Sequence, residues 1–188
     1  MISVSDKGQI YIDEQESNFK IQEFIPKTVW ELREHRRPKW FIQPEVIKLA
    51  QFYRDWWGVP VHINNWHVGG TFNLRGFREP HVGLVKHVRE ELTDEQADRL
   101  ISILRECDSF DKEKLTIGSW LSQHKFGKAF DCTVEGMTAD ETRQEIRDNE
   151  AEFMEAGLTT LETGKFAPTW VHSDVRFTGL DSIFMVGV

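Results

Sequence analysis

The apolar positions of the chain follow two periods. Between residues 44 and 57, Val46, Ile47, Ala50, Tyr53 and Trp57 recur at helical spacing. Pro44 occupies the first turn, where a missing N–H costs nothing, and Gly58 follows as a stop. Thr93-Asp-Glu-Gln96 and Thr138-Ala-Asp-Glu141 are capping boxes, in which two side chains satisfy orphan amides of a first helical turn. The first predicts a helix with Ala97, Leu100, Ile101, Leu104 and Cys107 on one face. The second predicts a helix with Ala139, Thr142, Ile146 and Phe153 inward, closed by Gly157. A shorter helix is predicted over 28–36. Runs of β-branched and aromatic residues predict strands over 10–13, 59–63, 115–117, 129–134, 158–161, 169–175 and 183–186. Strands and helices interleave without a strict β-α-β rhythm. That order predicts an α+β domain with a mostly antiparallel sheet and flanking helices.

Composition narrows the classes. The 188 residues contain no repeat, no low-complexity tract and no Pro/Gly/Ser linker, so residues 1–188 read as one domain. The first 40 residues are an unassigned extension. Seven Trp and thirteen Phe exclude a solvated coil. No apolar run is long enough for a membrane span. The N-terminal residues lack the apolar core of a signal peptide, so synthesis in the cytoplasm is expected, with release or association with a virion left open. Two cysteines, Cys107 and Cys132, make no disulfide framework and fit a reducing compartment. A formal net charge of −8 argues against nucleic acid as a partner. The basic run from Arg33 to Lys39 reads as a solvated helix end. The aromatic stretch from Phe52 to Trp57 reads as core packing rather than a sugar platform.

Of the seven histidines, His35, His62, His67, His81 and His87 read as exposed or structural. The other two lie in segments with a different character. Ser122-Gln-His124-Lys-Phe-Gly127-Lys-Ala129-Phe-Asp131 brings a histidine from a loop and an aspartate from a strand near each other. Trp170-Val-His172-Ser-Asp174-Val-Arg176 adds a histidine from another strand. Neutral imidazoles and a carboxylate from separate elements are the donors of a catalytic zinc site, which keeps one position open for water. Strand alternation puts Asp131 on one face with Ala129, and His172 on one face with Asp174.

The pattern S-x-H-x-x-G-x-A-x-D followed by W-x-H resembles the zinc D-alanyl-D-alanine peptidase family. That family shares a metallopeptidase superfamily with lysostaphin-type and hedgehog-type domains. Gly76-Phe77-Arg78-Glu-Pro80 resembles the G-[YF]-R-x-P turn that precedes the metal motif there. The resemblance spans about residues 45 to 176. It implies a hedgehog/DD-peptidase-like fold, a Zn2+ ion held by His124, Asp131 and His172, and substrate contacts from Arg78 and Ser122. It also implies hydrolysis of a peptide bond in peptidoglycan stem peptides or cross-links, by a phage-type lysis or virion protein.

One position departs from the family. Its carboxypeptidases carry an acid three residues before the last histidine, and here that residue is Thr169. A hydroxyl cannot serve as general base near neutral pH. The ending W-V-H-x-D-x-R offers Asp174 instead, either as base for the zinc water or as an orienting partner of a ligand histidine. His67 and His81, near the Arg78 turn, are further proton-transfer candidates. The missing acid and the acidic surface leave a second class open, a non-catalytic zinc-binding domain with an assembly or recognition role.

Overall fold

The computed structural model describes residues 1–31, 41–78, 93, 95 and 122–187. The segment expected to be an unassigned extension folds as an antiparallel meander of β1 (Ile2–Val4), β2 (Gln9–Ile12) and β3 (Gln15–Lys20). Asp13 and Glu14 turn β2 into β3 with φ of 49° and 70°, the left-handed pair a two-residue hairpin requires. On β3, Ser17 and Phe19 point inward between exposed neighbours. Ser17 Oγ and the Asn18 amide both donate to Gln51 Oε1, at 2.8 and 3.0 Å, which ties the meander to the next helix.

A short helix, α1 (Lys27–Glu31), covers the start of the helix expected over 28–36, the rest of which lies outside the described residues. The helix α2 (Pro44–Trp57) forms where its periodicity places it. It buries Val46, Ile47, Leu49, Ala50 and Tyr53, and Gly58 ends it at φ 66°. The predicted helix opened by Thr93 and the strand over 115–117 lie outside the described residues, apart from Thr93 and Glu95.

The second sheet contains β4 (Val61–His62), β5 (Ala129–Val134), β6 (Thr160–Glu162), β7 (Val171–Asp174) and β8 (Phe184–Val186). Their order is β4-β5-β7-β6-β8, antiparallel except for the parallel pair β6–β8. The architecture is therefore α+β, with a mixed sheet dominated by antiparallel pairing. Register fixes the two faces. Phe130 on β5, Ser173 on β7 and Leu161 on β6 lie in one row. Tyr53 from α2 packs edge-on against Phe130 at 5.5 Å, and its hydroxyl pairs with Ser173 Oγ at 2.9 Å. Phe52, Trp56 and Phe153 add further ring contacts, so Tyr53 is core and the partly buried Phe52, Trp56 and Trp57 pack against it. One apolar cluster joins residues of both sheets and α2. The opposite face, with Ala129, Asp131, His172 and Asp174, is left for polar chemistry.

The Thr138 capping box forms, its hydroxyl accepting from the Glu141 amide at 3.2 Å. The helix expected to run on to Gly157 is instead two, α3 (Ala139–Asp148) and α4 (Glu150–Glu155). Asn149 leaves helical geometry at φ −123° and ψ 39°, and its side-chain amide donates to Glu145 O at 2.9 Å. A short amide side chain competes with the helical ladder in this way. β2 and β8 differ by a single residue from their predicted ranges, and β4, β6 and β7 are shorter or offset for local reasons. Leu158 donates to Phe153 O and closes α4, so β6 starts only at Thr160. Pro60 has no amide, and β4 begins after it. Residues 168–170 bend before β7 begins.

Candidate metal centre

Three elements deliver the site. His124 sits on a 3-10 turn, Gln123–Phe126, closed by Gly127 at φ 66°. A Cβ at Gly127 would collide with the Phe41 carbonyl, so this glycine is required for both conformation and space. Asp131 lies on β5 and His172 on β7, directly opposite each other in the antiparallel register. Between them and the 3-10 turn runs residues 75–78 as a strap. Asp131 N donates to Arg75 O at 2.6 Å, and Arg78 N donates to His124 O at 3.2 Å. Phe77 N donates to Phe24 O at 2.7 Å, anchoring the strap to the meander side. Gly76 is needed here because a Cβ would strike the Phe24 backbone.

All three side chains are buried. His124 Nε2 lies 3.1 Å from Asp131 Oδ1 and 3.1 Å from His172 Nδ1. His172 Nδ1 lies 2.8 Å from the same Asp131 oxygen. The three atoms form a nearly equilateral triangle. Tetrahedral zinc with bonds of about 2.0–2.1 Å separates its donors by about 3.3 Å, close to these edges.

The outer ring atoms assign the tautomers. His124 Nδ1 faces Gly76 O at 2.7 Å, and a carbonyl can only accept, so the proton is on Nδ1 and Nε2 carries a lone pair. His172 Nε2 faces Asp174 Oδ2 at 3.3 Å, which places a proton there and leaves Nδ1 free for the cluster. With both rings neutral, two imidazole lone pairs and a carboxylate oxygen point at one spot. A cation there would take the place of the His172 proton, and the cluster can hold a metal ion.

The titration behaviour has the same origin. Burial lowers the pKa of His124 and outweighs the pull of Asp131, so that ring stays neutral. Burial acts to lower His172 too, but hydrogen bonds to Asp131 and Asp174 prevail and raise it to about 9. Burial acts to raise Asp131, yet the two imidazoles hold it far below the usual carboxylate range.

The other sequence candidates divide. Arg78 joins the cluster, with Nη2 at 2.5 Å from Asp131 Oδ2 and Nε donating to Leu74 O at 2.6 Å. Its guanidinium remains partly exposed. Ser122 is half-buried at the start of the 3-10 turn, and among the described residues its hydroxyl makes no bond to the triad. Asp174 is fully buried. Its carboxylate is gripped by the Arg176 guanidinium and receives the Arg176 amide at 3.1 Å. It touches His172 on the ring edge away from Asp131. That geometry fits an orienting partner better than a base for a metal-bound water. Thr169 is exposed. His67 is half-buried on the turn Trp66–Val68, with no bond to the triad among the described residues, and His81 lies outside them.

Arg143 was not legible as a site residue. It is 2% exposed on α3 and donates to Glu162 O, Ala167 O and Trp170 O. It thereby clamps the loop that leads into β7. Nothing in its sequence setting separates it from the charged residues around it.

Fold and site together define an α+β protein with a buried two-histidine, one-aspartate cluster able to hold a metal ion. Compared with known proteins, the chain matches no family model, no curated protein and no solved structure. No helix among the described residues is long and apolar enough to cross a membrane.

Proposed function

We propose that the protein is a zinc-dependent hydrolase cleaving a peptide bond in peptidoglycan stem peptides or cross-links, with the fold and ligand set of the zinc D-alanyl-D-alanine peptidases. The observation that carries this reading is the convergence of His124 Nε2, Asp131 Oδ1 and His172 Nδ1 at the positions of the family motif. Two nitrogens and one oxygen favour zinc over the oxygen-seeking cations. Zinc bound there supplies a water of lowered pKa and polarises the scissile carbonyl. The chain's own residues hold the ligands: the Gly76 carbonyl fixes the His124 tautomer, Asp174 fixes that of His172, and Arg78 engages the second oxygen of Asp131. The partly exposed Arg78 fork is also suited to an incoming carboxylate or carbonyl. A phage or prophage lysis or virion role is part of this reading. Metal analysis coupled to digestion of purified muropeptides tests it. One zinc per chain with release of a stem-peptide fragment supports it, and intact muropeptides in the presence of bound zinc reject it.

A second reading has its own support. Asp174 is committed to His172 and Arg176, and Thr169 stands where the family has its acid. A zinc-binding domain without hydrolytic activity, serving assembly or recognition, fits those two facts. The same digestion assay separates the readings.

A further inference from the structure

A further acid, Glu162, lies on the strand beside β7. β6 pairs antiparallel with β7, with Thr160 opposite Asp174 and Leu161 opposite Ser173. Continuing that register by one residue puts Glu162 opposite His172. Asp131 is opposite His172 on its other side. Side chains opposite one another share a face, so Asp131, His172 and Glu162 form a row across β5, β7 and β6. Leu161 lies on the other face, in the apolar core.

The state of the Glu162 carboxylate sets it apart from its neighbours. Asp131 is bound by Arg78 and both histidines, and Asp174 by Arg176 and His172. The half-buried Glu162 carboxylate has no hydrogen-bond or ion-pair partner among the described residues. Its main chain is held: Arg143 Nε donates to its carbonyl at 2.9 Å, and β8 pairs along its outer edge. The strand is fixed, and the carboxylate lies within electrostatic reach of Arg143 and His172. Glu162 is also close enough to His172 to favour its protonated form, a smaller effect than those of Asp131 and Asp174 and opposed by burial.

We propose that Glu162 is the general base that accepts a proton from the metal-bound water. This rests on the metallohydrolase reading and supplies the residue that it lacks. With a metal ion held there, its water would give one proton to the carboxylate, the oxygen would form the new bond to the substrate carbonyl carbon, and Glu162 would pass the proton on to the leaving amine as the peptide C–N bond breaks. No oxidant or further reactant is needed. A glutamate on the neighbouring strand has the length to extend over the His172 ring, whereas Asp174 sits at the ring edge away from Asp131.

The test uses the full-length protein loaded with cobalt(II), a visible reporter for the same donor set, and azide as a probe for the open coordination position. A carboxylate facing that position repels an anion. Glu162→Gln should therefore keep its metal and bind azide roughly tenfold more tightly, as loss of one nearby charge predicts. In the zinc form its muropeptide hydrolysis should fall about 10²–10⁴-fold, as for other lost general bases. Glu162→Asp, which retains the carboxylate, should recover part of the rate. Unchanged azide affinity together with wild-type hydrolysis in a metal-loaded Glu162→Gln protein overturns the assignment. If the wild type takes up no cobalt or zinc, the metal reading falls and takes this role with it. If azide tightens while the wild type cleaves no muropeptide, Glu162 stands at the metal and only the hydrolase reading is lost.

Discussion

The Asp174 carboxylate meets His172 Nε2 at 3.3 Å, across the imidazole from the Nδ1 atom that faces Asp131. One ring therefore links a buried acid held by arginine to the candidate metal position. A carboxylate behind a ligand histidine fixes its tautomer and strengthens it as a donor. This relationship moves the expected effect of Asp174 from proton transfer toward metal affinity.

Asp174→Asn should weaken zinc binding by about 10–100-fold, the usual cost of losing such a partner. Hydrolysis measured at saturating zinc should fall far less than zinc affinity does. Competition with a chelating dye gives the affinity. A variant with wild-type affinity and a hundredfold slower turnover would restore Asp174 as the base.

Purified protein should carry about one zinc per chain, as a three-donor site implies. His124→Ala and His172→Ala should each lose most of it, measured by elemental analysis after gel filtration. Full retention in either variant would place the ion elsewhere.

Zinc binding should depend steeply on pH. The metal-free His172 is raised to about 9, so at neutral pH zinc must displace a proton. Affinity should climb by about tenfold per pH unit from 7 toward 9 and then level off. The metal-free fold should behave in the opposite sense. Stabilisation from the protonated ring is complete below its ordinary pKa of 6.5 and is lost as pH rises through about 9. Calorimetry in buffers of different ionisation enthalpy would count the proton. Affinity independent of pH over this range would contradict the assignment.

Gly76→Ala should destabilise the protein by about 1–3 kcal/mol, because its methyl would strike the Phe24 backbone, which cannot swing aside as a side chain can. It should also weaken zinc binding, since the Gly76 carbonyl orients His124. Urea unfolding and metal titration on the same variant read both effects. A fully stable variant with intact affinity would show that the strap tolerates displacement.

The elements legible in the sequence were those written in local chemistry. Pro44 and Gly58 bracket α2, the Thr138 capping box opens α3, and alternation marks β5. The convergence of His124, Asp131 and His172 was legible because a motif fixed its spacing, with Gly127 and Ala129 between the first two. The meander was less so. Its β2–β3 turn uses Asp13-Glu14 rather than a glycine pair, so the usual hairpin signal is missing. The break at Asn149 depends on a side chain competing with its own helix, which periodicity does not show. Glu162 and Arg143 escaped for another reason. What distinguishes them is strand register and the carbonyls of a distant loop, and both are products of tertiary pairing.

The anchoring of the strap on Phe24 makes the first 25 residues part of the centre's foundation. The Phe77 amide bonds to Phe24, the Asn64 amide to Glu23, and the Trp66 indole to Ile25. Asn64 Oδ1 in turn accepts from the Arg75 amide at 2.8 Å. Stripping away the meander would leave the back of the strap in water and free the carbonyl that orients His124. In the intact protein, hydrogen exchange should show the Phe77 and Asp131 amides opening together with β1–β3, as one cooperative unit. A fragment trimmed to the motif-bearing region would keep every ligand in its sequence and still bind metal poorly.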